Sequence, residues 1–325
     1  MKKADDIIQM KSIKIMDFKI TKTLYTRFIY SILYDYNRKR VINILITFFA
    51  IIGFLWGIVE CFSWIFDKMS YPDNLRIYIK DHLKKGLLII LLLSVYHHRR
   101  KRKIQKTFSN TDLTVIVEFC DIFEQEGAII IPVSDTFDND INNGLVNPRT
   151  LHGQFIEKYF TGNVPALNSE INRALTSIGT NHLQSEPNLK GNKNRYEIGT
   201  TCPIKTHNKY FYLSALTYMK DTGNVEMLPQ YIYDFLSNVW NFIPNHGEYH
   251  DVVNIPVIGT GLNRLPANYT NQFIVQEIVN SFFATSKVQT FCKTLRICLH
   301  QKNYKFYNFD DMDILFCHID NYLNR

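Results

Sequence analysis

A chain of 325 residues can hold one sizeable domain and a smaller accompanying element. Its net charge of +7 hides a split: residues 1–106 carry 21 Lys/Arg and 8 Asp/Glu, residues 107–325 carry 16 and 22. A uniformly basic nucleic-acid binder is thereby excluded, and attraction to an anionic surface is confined to the front end.

Residues 11–40 mix basic positions with Ile13, Ile15, Phe18, Ile20, Leu24, Phe28, Ile29, Ile32 and Leu33, a pattern that suits an amphipathic cytoplasmic helix lying near a membrane. A nucleic-acid arm is the weaker reading of 1–40, because the basic content abuts an apolar run. That run, Val41–Phe66, is interrupted only by Asn43, Thr47, two glycines, Glu60 and Ser63. A bilayer needs roughly 20 apolar residues in a helix, so a transmembrane helix is predicted. It begins too late and runs too long for a secretory signal peptide. Gly86–Tyr96 is a second, shorter run, which spans only if its helix starts near Ile77 with Lys80, Lys84 and Lys85 reaching toward the interface. Arg38–Arg40 precedes the first run and Arg99–Lys103 follows the second. Basic flanks stay cytoplasmic, so both can do so only if the membrane is crossed twice. The favoured organisation is a hairpin of 41–66 and about 77–97; a single span with a surface-bound second segment is the alternative.

From residue 104 the composition becomes that of a folded domain. Residues 104–112 read as a polar link, and Leu113–Phe119 as a β-branched strand closing at Cys120-Asp121-Ile122. Ala128–Val133 is a second strand, closing at Ser134-Asp135. A loop rich in Asp and Asn leads to Asn142-Asn143-Gly144-Leu145-Val146, and Asn147-Pro148 opens a helix. Residues 161–209 read as polar and irregular, with a short strand at Tyr196–Ile198. Tyr210–Ala215 is a strand, and Pro229 begins a helix carrying Ile232, Phe235, Leu236, Val239 and Trp240. Val252–Ile258 is an apolar strand that runs into Gly259-Thr260-Gly261, with Leu262, Asn263 and Arg264 beyond and a helix resuming near Asn268. Leu295–Leu299 is a late strand and Phe309–Leu323 a final helix with acidic residues in its first turn. Alternating strands and helices make the domain α/β.

The strand, glycine turn and helix around Gly259 form an anion-binding pattern, since glycine lets backbone N–H groups approach a phosphate closely. Arg264, just beyond, is placed to pair with a phosphate. Six cysteines (Cys61, Cys120, Cys202, Cys292, Cys298, Cys317) form no C-x-x-C pair and no zinc spacing, as in a reducing compartment. His246, Glu248 and His250 have metal-like spacing, but Pro244 and Gly247 argue for a loop without a third ligand, so no metal is expected. No nucleophile elbow or triad order is present.

Asp121-Ile122 closing a strand, the Asn142–Val146 loop entering a helix, and Ile258–Leu262 far downstream resemble, in their order, the macro domain family over about residues 108–325. The resemblance implies a three-layer α/β/α fold around a central mixed sheet, with a pocket for ADP-ribose-type nucleotides. It gives Asp121 the adenine amino group, with Ile122 beside it. Asn143, Gly144, Leu145 and Val146 would cradle one side of the diphosphate, and Gly259, Thr260, Gly261, Leu262, Asn263 and Arg264 the other. Many catalytic macro domains carry Asn-Ala-Ala-Asn after the second strand, with the last Asn against the distal ribose. Here Ile131-Pro132-Val133-Ser134 stands in that place, so Ser134 and Asp135 would face the distal ribose. The departure favours a reader over an eraser; a membrane-anchored ADP-ribose or NAD-product hydrolase is the alternative.

A membrane hairpin joined to such a domain resembles the effector family of type II Thoeris anti-phage systems. That resemblance implies a TIR-domain partner enzyme that makes an ADP-ribose derivative from NAD, such as a histidine–ADP-ribose conjugate, and a macro domain that senses it. The membrane part would then damage the bacterial inner membrane. It further implies a multi-pass protein with cytoplasmic termini, contact with membrane lipid, homo-oligomerisation, no cofactor and no nucleic-acid partner.

Overall fold

The computed structural model describes residues 38–66, 73–98, 101–109, 111–259, 265–266 and 268–323. The amphipathic segment expected at 1–40 therefore lies almost wholly outside the described residues. Two compact units are present, one ending at Lys101 and one beginning at Arg102.

The front unit holds two helices, α1 (Arg38–Phe66) and α2 (Asp73–His97). The Val41–Ile58 stretch of α1 has a mean hydropathy of 2.4, and only 6% of it is buried. A helix of a soluble core would hide such a stretch; here Ile46, Phe49, Phe54 and Trp56 are each at least 60% exposed. That is the kind of surface a membrane-crossing helix presents to lipid hydrocarbon. α2 starts at Asp73, four residues before the expected Ile77, and carries Arg76, Lys80, Asp81, Lys84 and Lys85 in its first half. Those charges lower its hydropathy, so α1 is the one helix among the described residues long and apolar enough to cross a membrane. The two helices pack together. Thr47, near the start of α1, lies 2.7 Å (Oγ1 to Nε2) from His98, just past the end of α2, so they run antiparallel.

The second unit is built on strands β1 (Lys103–Thr107), β2 (Thr114–Phe119), β3 (Ala128–Ser134), β4 (Gln184–Ser185), β5 (Asn194–Arg195), β6 (Thr201–Thr206), β7 (Lys209–Met219), β8 (Val225–Glu226), β9 (Val252–Pro256) and β10 (Thr294–Leu299). Helices α3 (Leu151–Tyr159), α4 (Val164–Ser177), α5 (Gln230–His246), α6 (Asn271–Ser286) and α7 (Phe309–Leu323) accompany them. The main sheet has the order β1-β2-β10-β9-β3-β7-β6, with β8 added to β7; β4 and β5 form a separate ribbon. The five inner strands are parallel, and β1 and β6 are antiparallel edges. Inner strands such as β3, with Ala128 to Ile131 fully buried, are apolar on both faces because helices cover both.

One face packs Ile129, Ile131, Val133, Phe211 and Leu213 against α3 and α4, with Phe155 and Ile171 at the contact. The other packs Val115, Ile130, Val253, Ile255 and Ile297 against α5, α6 and α7, with Trp240 among the largest fully buried side chains. Trp240 stacks on Phe291 at 5.4 Å, and its indole N–H donates to Ser281 Oγ. The domain is thus a three-layer α/β/α sandwich around a mixed sheet.

Three elements differ from expectation. The polar link at 104–112 begins with an edge strand, β1, in which only Ile104 faces the core; lysines at Lys103 and Lys106 keep that edge polar. The stretch 161–209 contains α4, whose Leu167, Ile171 and Leu175 recur every four residues and form its buried stripe. It also contains β6, at Thr201–Thr206 rather than 196–198.

The connections decide where a ligand can lie. β3 leaves through α3 and α4 on one face to reach β7, whereas β9 leaves through α6 on the other face to reach β10. β3 and β9 are neighbours, so their exits diverge at a topological switch point, and open α/β sheets bind ligands outside the carboxyl ends of the strands at such points.

Candidate functional site

All five parallel strands end on the same edge of the sheet. Along that rim stand Asp121 after β2, His300 after β10, Gly259 after β9, Ser134 and Asp135 at the end of β3, and Tyr218 near the end of β7.

Asp121 is exposed, and its Oδ1 accepts the Phe123 N–H at 2.9 Å. That bond caps a short 3-10 turn, Ile122–Glu124, in which Ile122 and Phe123 are buried. The carboxylate is therefore held at the rim by its own backbone turn.

The chain after β3 is a buried polar run from Ser134 to Asn139. Asp135 is 2% exposed. Its Oδ2 lies 2.6 Å from Arg195 Nη1, and its Oδ1 accepts the Met219 N–H at 2.8 Å. Burial raises the Asp135 carboxyl above its ordinary range, against the opposing pull of the Met219 N–H and Arg195. Arg195, itself 3% exposed, also pairs with Glu186 and lies 3.8 Å over the Tyr218 ring. Asp135, Arg195, Tyr196, Ile198, Tyr218 and Asp234 line a cavity of about 320 Å³ beside this cluster. Ser134 Oγ is 3.2 Å from Thr136 Oγ1, whose hydroxyl donates to the buried Asp138 carboxylate. Asp138 also accepts the Asn192 N–H at 2.7 Å, and burial raises its pKa. Sequence reasoning missed Arg195 and Asn192, because both sit in the polar stretch read as irregular.

Asn139 ties the same loop to the helices behind it. Its amide N–H groups donate to Phe137 O and Asn168 Oδ1, leaving Oδ1 to accept from His152 Nε2 at 2.9 Å. That assignment puts the proton of neutral His152 on Nε2. Complete burial pushes His152 down to about 3 from 6.5. The unfolded chain takes up this proton at 6.5, but the fold refuses it until about 3. Stability should therefore fall as pH drops across that window, by up to about 1.4 kcal/mol per unit. Denaturant titrations between those pH values should show the slope in the wild type and a flatter one in His152→Gln. An equal slope in both would assign the effect to other groups.

The Asn142–Val146 loop is closed on itself. Asn143 donates through its backbone N–H to Asp140 Oδ1 and through its amide to Oδ2, and the Val146 N–H returns to Asp140 O. Gly144 has φ +78° with nothing near a would-be Cβ; Leu145 is half-buried and Val146 buried. After β9, Gly259 has φ +68°, and a Cβ there would fall 2.5 Å from Leu265 Cδ1. Thr260, Gly261, Leu262, Asn263 and Arg264 lie outside the described residues. Of the residues singled out from sequence, Asp121, Ile122, Ser134, Asp135 and Gly259 thus stand at the carboxyl ends of the parallel strands, and Asn143–Val146 lies in the loop between β3 and α3. His246 ends α5, and His250 packs on Tyr210; no group of three metal-ligating side chains occurs among the described residues.

Residues 115–300 match the family model described as the macro domain of the Thoeris protein ThsA. The chain belongs to that family. Among solved structures, the Oceanobacillus iheyensis macrodomain with ADP is similar at 10% identity, over 66% of this chain and 98% of that one, with a TM-score of 0.45. No curated protein matches. Within this macro domain, Arg195 lines the cavity beside Asp135, and Gly259 shapes the turn that follows β9.

Proposed function

We propose that the chain is a membrane-anchored sensor. Its macro domain would bind an ADP-ribose-type signal made from NAD by a TIR-domain enzyme, and its helices would then breach the inner membrane. The observation that carries the reading is the switch point between β3 and β9 in a member of the ThsA macro family, with Gly259 at φ +68° in the turn after β9. In this reading Asp121 receives the adenine, and the Asn143–Val146 and Gly259–Arg264 loops receive the diphosphate, as backbone-lined turns suit an anion. Ser134 and Asp135 lie toward the distal ribose. A histidine–ADP-ribose conjugate is a candidate signal.

Binding without turnover is favoured by the state of Asp135. Both its oxygens are engaged, by Arg195 and by the Met219 N–H, which leaves it poorly placed to activate water. The exposed apolar face of α1 supports one span; α2, antiparallel beside it, would supply the second span of a hairpin whose basic flanks stay cytoplasmic. Ligand would act by favouring one arrangement of a homo-oligomer over another.

The test is calorimetry on the full chain in lipid nanodiscs, titrated with ADP-ribose and with the histidine conjugate, followed by chromatography of the ligand and dye release from liposomes. Binding of intact ligand, with ligand-dependent release, is expected. Consumption of ligand would make the protein a hydrolase. A folded protein that binds neither compound would remove the sensor assignment.

A further inference from the structure

The rim carries a second chemistry on side chains that ligand binding does not use. Cys298 lies in β10 opposite Glu118 of the neighbouring parallel strand β2. Cys120 follows two residues after Glu118 and so shares the face of Cys298. Both thiols pack against the core beneath α3 and α4, as diagonal neighbours on adjacent parallel strands. Cys298 is buried, whereas Cys120 is half-buried at the end of its strand. Arg296 stands on the same face two residues before Cys298, with its Nε 2.9 Å from Glu118 Oε1. The neighbouring Cys298 thiol lowers the Cys120 pKa, with burial, Glu118 and Asp121 opposing it, while Cys120 and burial together drive Cys298 well up. The half-buried thiol is the one a peroxide can reach, and the buried one stands beside it to resolve.

We propose that Cys120 and Cys298 form a reversible disulfide driven by hydroperoxides, which shifts the adjoining Asp121 and weakens the hold on the nucleotide. The Cys120 thiolate attacks the peroxide; an S–O bond forms, the O–O bond breaks, and the departing hydroxide is protonated to water. Cys298 then attacks the sulfenic sulfur; the S–S bond forms, the S–O bond breaks, and hydroxide leaves with the Cys298 proton as a second water. Two thiols are oxidised and one peroxide is reduced. Cys120 lies two residues beyond Glu118, the strand partner of Cys298, so closing the bond would draw Cys120 toward β10 and pull Asp121 with it. A pair that must move to close is also easily reduced, as befits a transient bond in a reducing compartment.

The effect on ligand rests on the sensor reading; formation of the bond does not. The full chain in nanodiscs would be treated with hydrogen peroxide, digested without reductant and mapped by mass spectrometry, with dimedone to trap sulfenic acid. A Cys120–Cys298 peptide reversed by dithiothreitol is expected in the wild type, and dimedone-labelled Cys120 in Cys298→Ser. Cys120→Ser should show neither product. Absence of the linked peptide, or equal dimedone labelling of Cys120 in wild type and Cys298→Ser, would overturn the proposal. Calorimetry with ADP-ribose should then give at least about five-fold weaker binding to the oxidised protein, the lower end of coupling between sites. Unchanged affinity in a fully cross-linked sample would refute the switch. Failure of the reduced protein to bind ADP-ribose would instead count against the sensor reading.

Discussion

Replacing Arg195 by methionine should destabilise the macro domain by about 3–5 kcal/mol, the usual cost of stranding a buried charge. The stranded group is Asp135, at 2% exposure, which would keep the Met219 N–H but lose its cation. Met219 O would lose a donor, and Tyr218 the guanidinium stacked on its ring. Glu186 matters less, because it is partly exposed and water can replace its partner. The double variant Asp135→Asn/Arg195→Met should be less destabilised than the single effects added together, since neither charge is then left alone. Urea unfolding followed by hydrogen exchange of the β3 and β7 amides would measure both. A loss below about 0.5 kcal/mol in Arg195→Met, the range of ordinary surface substitutions, would mean that the cluster contributes little.

Gly259→Ala should cost about 1–2 kcal/mol for holding a non-glycine residue in the left-handed region, and at least ten-fold in ADP-ribose affinity, about 1.4 kcal/mol. The second effect follows from position. The turn follows β9 at the switch point, and the added Cβ would push Leu265 from its place. Gly144→Ala is the informative comparison. Its φ of +78° carries a similar backbone cost, but no neighbour lies within 4 Å to be displaced. Thermal unfolding of the two variants should therefore show the larger stability loss in Gly259→Ala, and calorimetry on Gly259→Ala should show its loss of ligand. Wild-type affinity in Gly259→Ala would mean that the nucleotide does not approach this turn.

Both predictions concern the same rim, yet they differ in how visible their residues were beforehand. Gly259 announced itself: an apolar strand running into Gly-Thr-Gly is a local pattern, and local sterics make glycine informative wherever the chain must turn sharply. Arg195 gave no signal. Its partners are 60 residues back at Asp135, nine residues back at Glu186 and on the far strand at Met219. A charged residue in a polar stretch looks the same whether it faces water or a buried carboxylate. His152 is a similar case, since its burial depends on Asn139 folding back beneath α3. Helix α4 was different again. Its Leu167, Ile171 and Leu175 stripe was legible, but the polar residues between them obscured it.

By itself, the sequence determined the apolar first helix, the β-branched inner strands, the alternation that makes the domain α/β, and the glycine turn after β9. Each rests on interactions between residues close in the chain: hydrophobic periodicity, backbone sterics and turn chemistry. Only the tertiary structure decided that β9 and β3 lie side by side with their exits diverging, that Arg195 closes on Asp135, and that Cys120 stands diagonal to Cys298 on the neighbouring strand. Those pairings join residues far apart in the chain. Their energies come from burial and from charge in a low dielectric, which exist only once the sheet has assembled.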